Sequence, residues 1–156
     1  MSFLGPLRRR GPLSERKTRI EREQGGVSPT TERERPLVLV ADDEPDLQEL
    51  VRYALEDAGF EVLTAGDGEE ALRLALDWRP SLAVVDVRMP KLSGLQLTRK
   101  LRESEETAQM PILLLTGATE KEDVARGFEA GAYGYLEKPL NPWELVTRVE
   151  ALLDDS

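Results

Sequence analysis

From Pro36 onward the chain repeats one pattern five times: a short run rich in aliphatic and β-branched residues, then a longer segment with apolar residues at helical spacing. The runs are LVLVAD (37–42), FEVLTA (60–65), SLAVVD (81–86), PILLLT (111–116) and AYGYLE (132–137). Such alternation predicts parallel strands joined by right-handed crossovers, with helices on both faces of one doubly wound α/β sheet. The first, third and fourth runs are the most continuously apolar, which places them at the centre of the sheet. After the first run, Leu47, Leu50, Val51, Ala54, Leu55 and Ala58 recur on one predicted helix face, and Gly59 supplies a left-handed stop. Asp67 with Glu70, Ser93 with Gln96 and Thr119 with Glu122 have the spacing of capping boxes. Asn141 followed by Pro142 opens a last helix that continues through Leu145, Val146, Val149, Leu152 and Leu153. Gly127 falls inside the fourth predicted helix, where glycine costs about 1 kcal/mol relative to alanine.

A chain of 156 residues suits one domain with a modest appendage. It has neither cysteine nor histidine, which excludes disulfides, thiolate chemistry and imidazole chemistry. No run approaches the roughly 18 apolar residues of a membrane span, and the first residues lack the apolar core of a secretory signal. A soluble cytoplasmic protein is the expectation. The net charge of −9 is uneven: residues 1–35 hold nine Arg or Lys against five Glu, leaving +4, and the rest hold twelve against twenty-five, leaving −13. Residues 1–35 are also rich in Gly and Pro and poor in large apolar residues, as in a flexible basic tail. The domain is therefore expected over residues 36–153.

In sheets of this class functional groups collect beyond the carboxyl ends of the strands. There the chain places Asp42 and Asp43 after the first strand, Asp86 after the third, Thr116 after the fourth and Lys138 after the fifth. Each has an ordinary explanation as a turn residue, cap, strand terminus or solvated charge. Five coincidences at one sheet edge are harder to explain that way. Three clustered carboxylates either raise a pKa or recruit a cation. A hard ion such as Mg²⁺ suits one or two carboxylates plus phosphate oxygens. Lys138 and the Thr116 hydroxyl are suited to the oxygens of a bound phosphoryl group. A carboxylate can itself be the nucleophile, and Asp86, in the middle of the set, is the natural candidate.

The ordered motifs LVLVADDEPD, VVDVRMPKLSG, PILLLTGAT and GAYGYLEKPLNPWEL resemble the receiver domains of two-component response regulators across about residues 36–153. The resemblance implies a flavodoxin-like (βα)5 fold with strand order 2-1-3-4-5. It implies that Asp86 accepts a phosphoryl group from a phosphohistidine on a sensor kinase or phosphotransfer protein. It also implies that Asp43, Asp86 and the backbone carbonyl of Arg88 bind Mg²⁺, with Asp42 acting mainly through water. Lys138 would pair with the phosphate, and its peptide bond to Pro139 would be cis. Thr116 and Tyr135 would switch the face formed by the fourth helix, fifth strand and fifth helix for a downstream protein target. The resemblance also places Arg88 and Ala118 where side chains vary and tune the chemistry of the site; a cation at 88 either shields the acyl phosphate from water or points outward, and its effect on lifetime is open. Trp143 is open between a place on that face and a cover for the core.

After residue 153 only DDS remains, so a stand-alone regulator is expected, acting by protein contact or as a relay intermediate. Its enzymology would be limited to its own phosphorylation and dephosphorylation. An interaction module that works without phosphorylation is the alternative, but the intact acidic set argues against it. An aspartyl-phosphate phosphatase would need Asp-x-Asp on the first strand, and ADDEPD does not match. Flavin binding lacks a Gly/Ser/Thr-rich phosphate loop after the first strand. Interleaved glutamates and the lack of stacking aromatics rank nucleic-acid contact by residues 1–35 below a plain solvated tail. A homodimer through the fourth and fifth helices is an open alternative that no named residue supports.

Overall fold

The computed structural model describes residues 35–117 and 121–154. The readings of the basic tail, of Ala118 and of the Thr119 cap lie outside the described residues. Five strands alternate with five helices: β1 (Leu37–Ala41), α1 (Pro45–Asp57), β2 (Glu61–Ala65), α2 (Gly68–Trp78), β3 (Leu82–Asp86), α3 (Gly94–Glu103), β4 (Ile112–Thr116), α4 (Lys121–Ala130), β5 (Gly134–Glu137) and α5 (Pro142–Asp154). All neighbouring strands pair in parallel, in the order β2-β1-β3-β4-β5. This is the expected flavodoxin-like arrangement. Every residue of β1, β3 and β4 is buried, which is why those three runs lack polar alternation.

The pleat divides the core in two. Leu39, Ala41, Ala83, Val85, Ile112 and Leu114 point to one face, under Ala71 and Ala75 of α2 and Leu97 and Leu101 of α3. Val38, Val40, Val84, Leu113 and Leu115 point to the other, under Val51 and Leu55 of α1 and Leu145 and Val149 of α5. The buried stripe of α1 is narrower than its sequence suggests: Leu50 is 43% exposed and Ala58 is also exposed. Leu50 lies one residue, or about 100°, from Val51, so only one of the two can point at the sheet.

The caps fix where the loops of the site begin. Ser93 and Gln96 form the complete capping box at α3. At α2 the Asp67 side chain accepts the Glu70 amide as expected, but Glu70 reaches back to the Gly66 amide, one residue earlier than predicted. Asn141 Oδ1 accepts the amides of Trp143 and Glu144, with Pro142 in the first turn. Gly59 has φ +102°, the left-handed stop foreseen after α1.

Gly127 is explained by packing. It is buried, and a Cβ there would collide with Leu114 Cδ1 of β4. The glycine lets α4 lie close to the sheet, so its helix-propensity cost is offset by a contact that alanine would obstruct. Gly127→Ala should therefore lower stability by about 1–3 kcal/mol, the usual effect of overpacking. Urea denaturation measures this, and a stabilisation of about 1 kcal/mol, as propensity alone demands, would refute the packing explanation.

Candidate acidic site at the strand ends

Strand register brings the charged residues level. Ala41 pairs with Val85, so Asp42 and Asp86 each follow by one step on adjacent central strands. Asp86 pairs with Leu115, and Thr116 pairs with Glu137, which puts Lys138 one step beyond the edge strand. The Lys138 amide donates to the Thr116 carbonyl at 2.7 Å, and the Lys138–Pro139 bond is cis, as expected. Lys138 Nζ lies 3.0 Å from Asp86 Oδ2, 3.5 Å from Glu44 Oε1 and 3.8 Å from Asp42 Oδ2.

The three aspartates converge. One carboxylate oxygen from each of Asp42, Asp43 and Asp86 lies within 4.8 Å of the others. Asp42 is 1% exposed and Asp86 is buried, whereas Asp43 faces solvent. Asp86 Oδ1 accepts the Arg88 amide at 3.2 Å, so both its oxygens are held. Asp42 Oδ1 accepts the Glu44 amide at 2.9 Å, while its buried Oδ2 has no hydrogen bond. The helix-capping role open to Asp43 is not used, since Glu44 holds the N-cap position of α1.

Backbone contacts brace the loop after β3. Gly94 donates to the Val87 carbonyl at 2.7 Å, and a Cβ on Gly94 would collide with the Asp86 carbonyl. Only glycine lets α3 start this close to the residue that carries the central carboxylate. Sequence reading missed two further residues. Gln48 Nε2 donates to the carbonyls of Asp42 and Ala65, tying the loop after β1 to the end of β2. Its signal is an amide among the apolar residues of α1. Glu44, the third acid in ADDE, carries no signal in the sequence that sets it apart from its acidic neighbours.

Burial pushes the Asp42 carboxyl up to about 6, against the pull of the Glu44 amide, and the charge of Asp86 adds to the rise. Burial also raises Asp86 above the usual carboxylate range, despite its hydrogen bond to Lys138 and the attraction of that ammonium. Burial opposes the charge on Lys138, but Asp86, Asp42 and Glu44 together outweigh it and hold the ammonium above its ordinary value.

These features suit a hard cation. The carboxylates supply an all-oxygen donor set, and the buried Asp42 Oδ2 lacks a hydrogen-bond donor that a metal-bound water would provide. Thr116 is buried at the end of β4. Tyr135 is 40% exposed and packs edge-to-face on Phe128 of α4, with ring centroids 6.2 Å apart. Trp143 is 82% exposed, which excludes it as a cover for the core.

Comparison with known proteins decides the family. Residues 38–150 match the response regulator receiver domain. The chain belongs to that family. It is 44% identical over 116 residues to the Bacillus subtilis alkaline phosphatase synthesis transcriptional regulatory protein PhoP, covering 74% of this chain and 48% of that protein. The receiver thus spans about half the length of the curated relatives it matches. A putative response regulator from Chloroflexus aurantiacus superposes with a TM-score of 0.75 at 37% identity, covering 78% of this chain and 99% of that one. The receiver domain of the Pseudomonas aeruginosa sensor histidine kinase PA1611 superposes with a TM-score of 0.72 at 29% identity, covering 77% and 98%, and was solved with magnesium coordinated in its active-site cleft. Among the described residues no helix is long and apolar enough to cross a membrane.

The raised Asp42 pKa predicts an unusual pH dependence for the metal-free receiver. Between about 4 and 6 the unfolded chain ionises this group while the folded chain keeps its proton, so stability falls as pH rises. Above 6 the whole penalty is present, on the order of 2–3 kcal/mol for a shift of about two units. Asp42→Asn should therefore melt higher than the parent at pH 7 without divalent ions, with the gap closing at pH 4. A lower melting temperature at pH 7 would show that Asp42 stabilises the apo fold.

Proposed function

We propose that the receiver is a phosphorylation switch in which Asp86 accepts a phosphoryl group from the phosphohistidine of a sensor histidine kinase or phosphotransfer protein. The observation that carries this reading is the Asp86 carboxylate, buried beside Asp42 and Asp43 with Lys138 Nζ 3.0 Å away. Asp86 attacks phosphorus while the donor's leaving group departs with the bonding pair. Lys138 then pairs with a phosphoryl oxygen instead of the free carboxylate. The Thr116 hydroxyl, one step past the residue paired with Asp86, donates to another. Asp43, Asp86 and the Arg88 carbonyl would hold Mg²⁺, with Asp42 acting through water. Bound there, Mg²⁺ supplies positive charge to the phosphoryl oxygens as the transfer proceeds.

In the same reading Thr116 and Tyr135 transmit the change. As Thr116 turns toward the phosphoryl group, Tyr135 leaves its exposed position on Phe128 for an inward rotamer. The face of α4, β5 and α5 then presents a different surface to a protein partner. The receiver acts through such contact, on a downstream protein or as a phosphorelay intermediate. Arg88, exposed two residues after Asp86, offers a cationic side chain that in this reading either shields the adduct from water or points outward.

Incubation with Mg²⁺ and acetyl phosphate should yield one acid-stable, base-labile phosphoryl group per chain. Asp86→Asn should abolish it, and Lys138→Ala should reduce the phosphorylation rate by at least about tenfold, as expected for loss of a charge-assisted contact. Equal labelling of Asp86→Asn and the parent would remove Asp86 as the nucleophile.

A further inference from the structure

Glu44 has a contact that its place in the loop does not require. It is the N-cap residue of α1, yet its side chain makes no capping hydrogen bond, and only its carbonyl serves the helix, accepting the Gln48 amide. The carboxylate instead reaches across the crevice mouth to Lys138 Nζ at 3.5 Å. Its side chain is 62% exposed, outside the buried pair Asp42 and Asp86. Lys138 therefore shares its charge among Asp86, Glu44 and Asp42.

We propose that Glu44 is a specificity-determining residue, a charge filter at the mouth of the site that slows transfer from dianionic phosphodonors and strengthens attraction of the divalent cation. The proposal rests on Asp86 being the phosphoacceptor. With four carboxylates against one ammonium among the described residues, an incoming dianion meets repulsion, and Glu44 is the member of the set that competes for Lys138 without being buried. In transfer from acetyl phosphate, the bond from phosphorus to the acetyl oxygen breaks and a bond from phosphorus to an Asp86 oxygen forms. Acetate leaves with the electron pair and no proton is needed. Glu44 takes no part in the bonds; it raises the electrostatic cost of bringing the donor in. The same charge lowers the cost of bringing in Mg²⁺, so its removal has opposite effects on the two ligands.

Glu44→Gln keeps the shape and removes the charge. With saturating Mg²⁺ at low ionic strength, the variant should be phosphorylated by acetyl phosphate, a dianion near neutral pH, about three to ten times faster than the parent. The gain should be smaller with phosphoramidate, a monoanion, and should vanish for both in about 1 M salt, where the screening length is near 3 Å. Calorimetric titration with Mg²⁺ alone should show affinity about three to ten times weaker than the parent. An unchanged ratio of rates between the two donors, or unchanged Mg²⁺ affinity, would overturn the filter. Loss of both rate and Mg²⁺ affinity would do so as well, marking Glu44 as structural. If neither protein labels with either donor, the phosphoacceptor reading fails, and the charge filter for donors fails with it.

Discussion

Lys138 stands 3.0 Å from Asp86 and 3.8 Å from Asp42, among the described residues the ammonium that faces carboxylates forced together by the central strands. That crowding follows from the sheet. Parallel pairing of β1 with β3 aligns Ala41 with Val85, and a further step on each strand brings two buried aspartates level. Neither can move away, because the strands behind them are buried along their whole length. The amide contact of Lys138 with the Thr116 carbonyl holds the counter-charge beside these carboxylates.

A site built this way is incomplete as a set of charges. Burial raises both Asp42 and Asp86, and Lys138 compensates only part of the cost. The buried oxygen of Asp42 that lacks a hydrogen bond marks where the compensation stops. A divalent cation would add the positive charge that the arrangement lacks, and in the proposed reading that charge would also offset a phosphoryl group carried on Asp86.

Much of this was legible in the sequence for a simple reason. Strand termini are marked by abrupt changes from apolar to charged residues, and the five charged or hydroxyl residues at those termini needed only a parallel sheet to meet. Residues that act across the fold were harder to read. Glu44 was lost in a run of acids, and Gln48 stood among the apolar residues of α1. Gly127 read as a weakness of α4 because propensity is local, while its partner Leu114 lies on another element. The exposure of Leu50 likewise depends on which part of α1 the sheet covers.

The central claim is that Asp86, alone among the three converging aspartates, becomes the acyl phosphate. Borohydride reduction converts a phosphorylated aspartate to homoserine, and tryptic peptides separate Asp42 and Asp43 from Asp86, since Arg52 and Arg73 lie between them. After reaction with acetyl phosphate and Mg²⁺, mass spectrometry should find homoserine at position 86 and unmodified aspartate at 42 and 43. Homoserine at 42 or 43, or at none of the three, would contradict it.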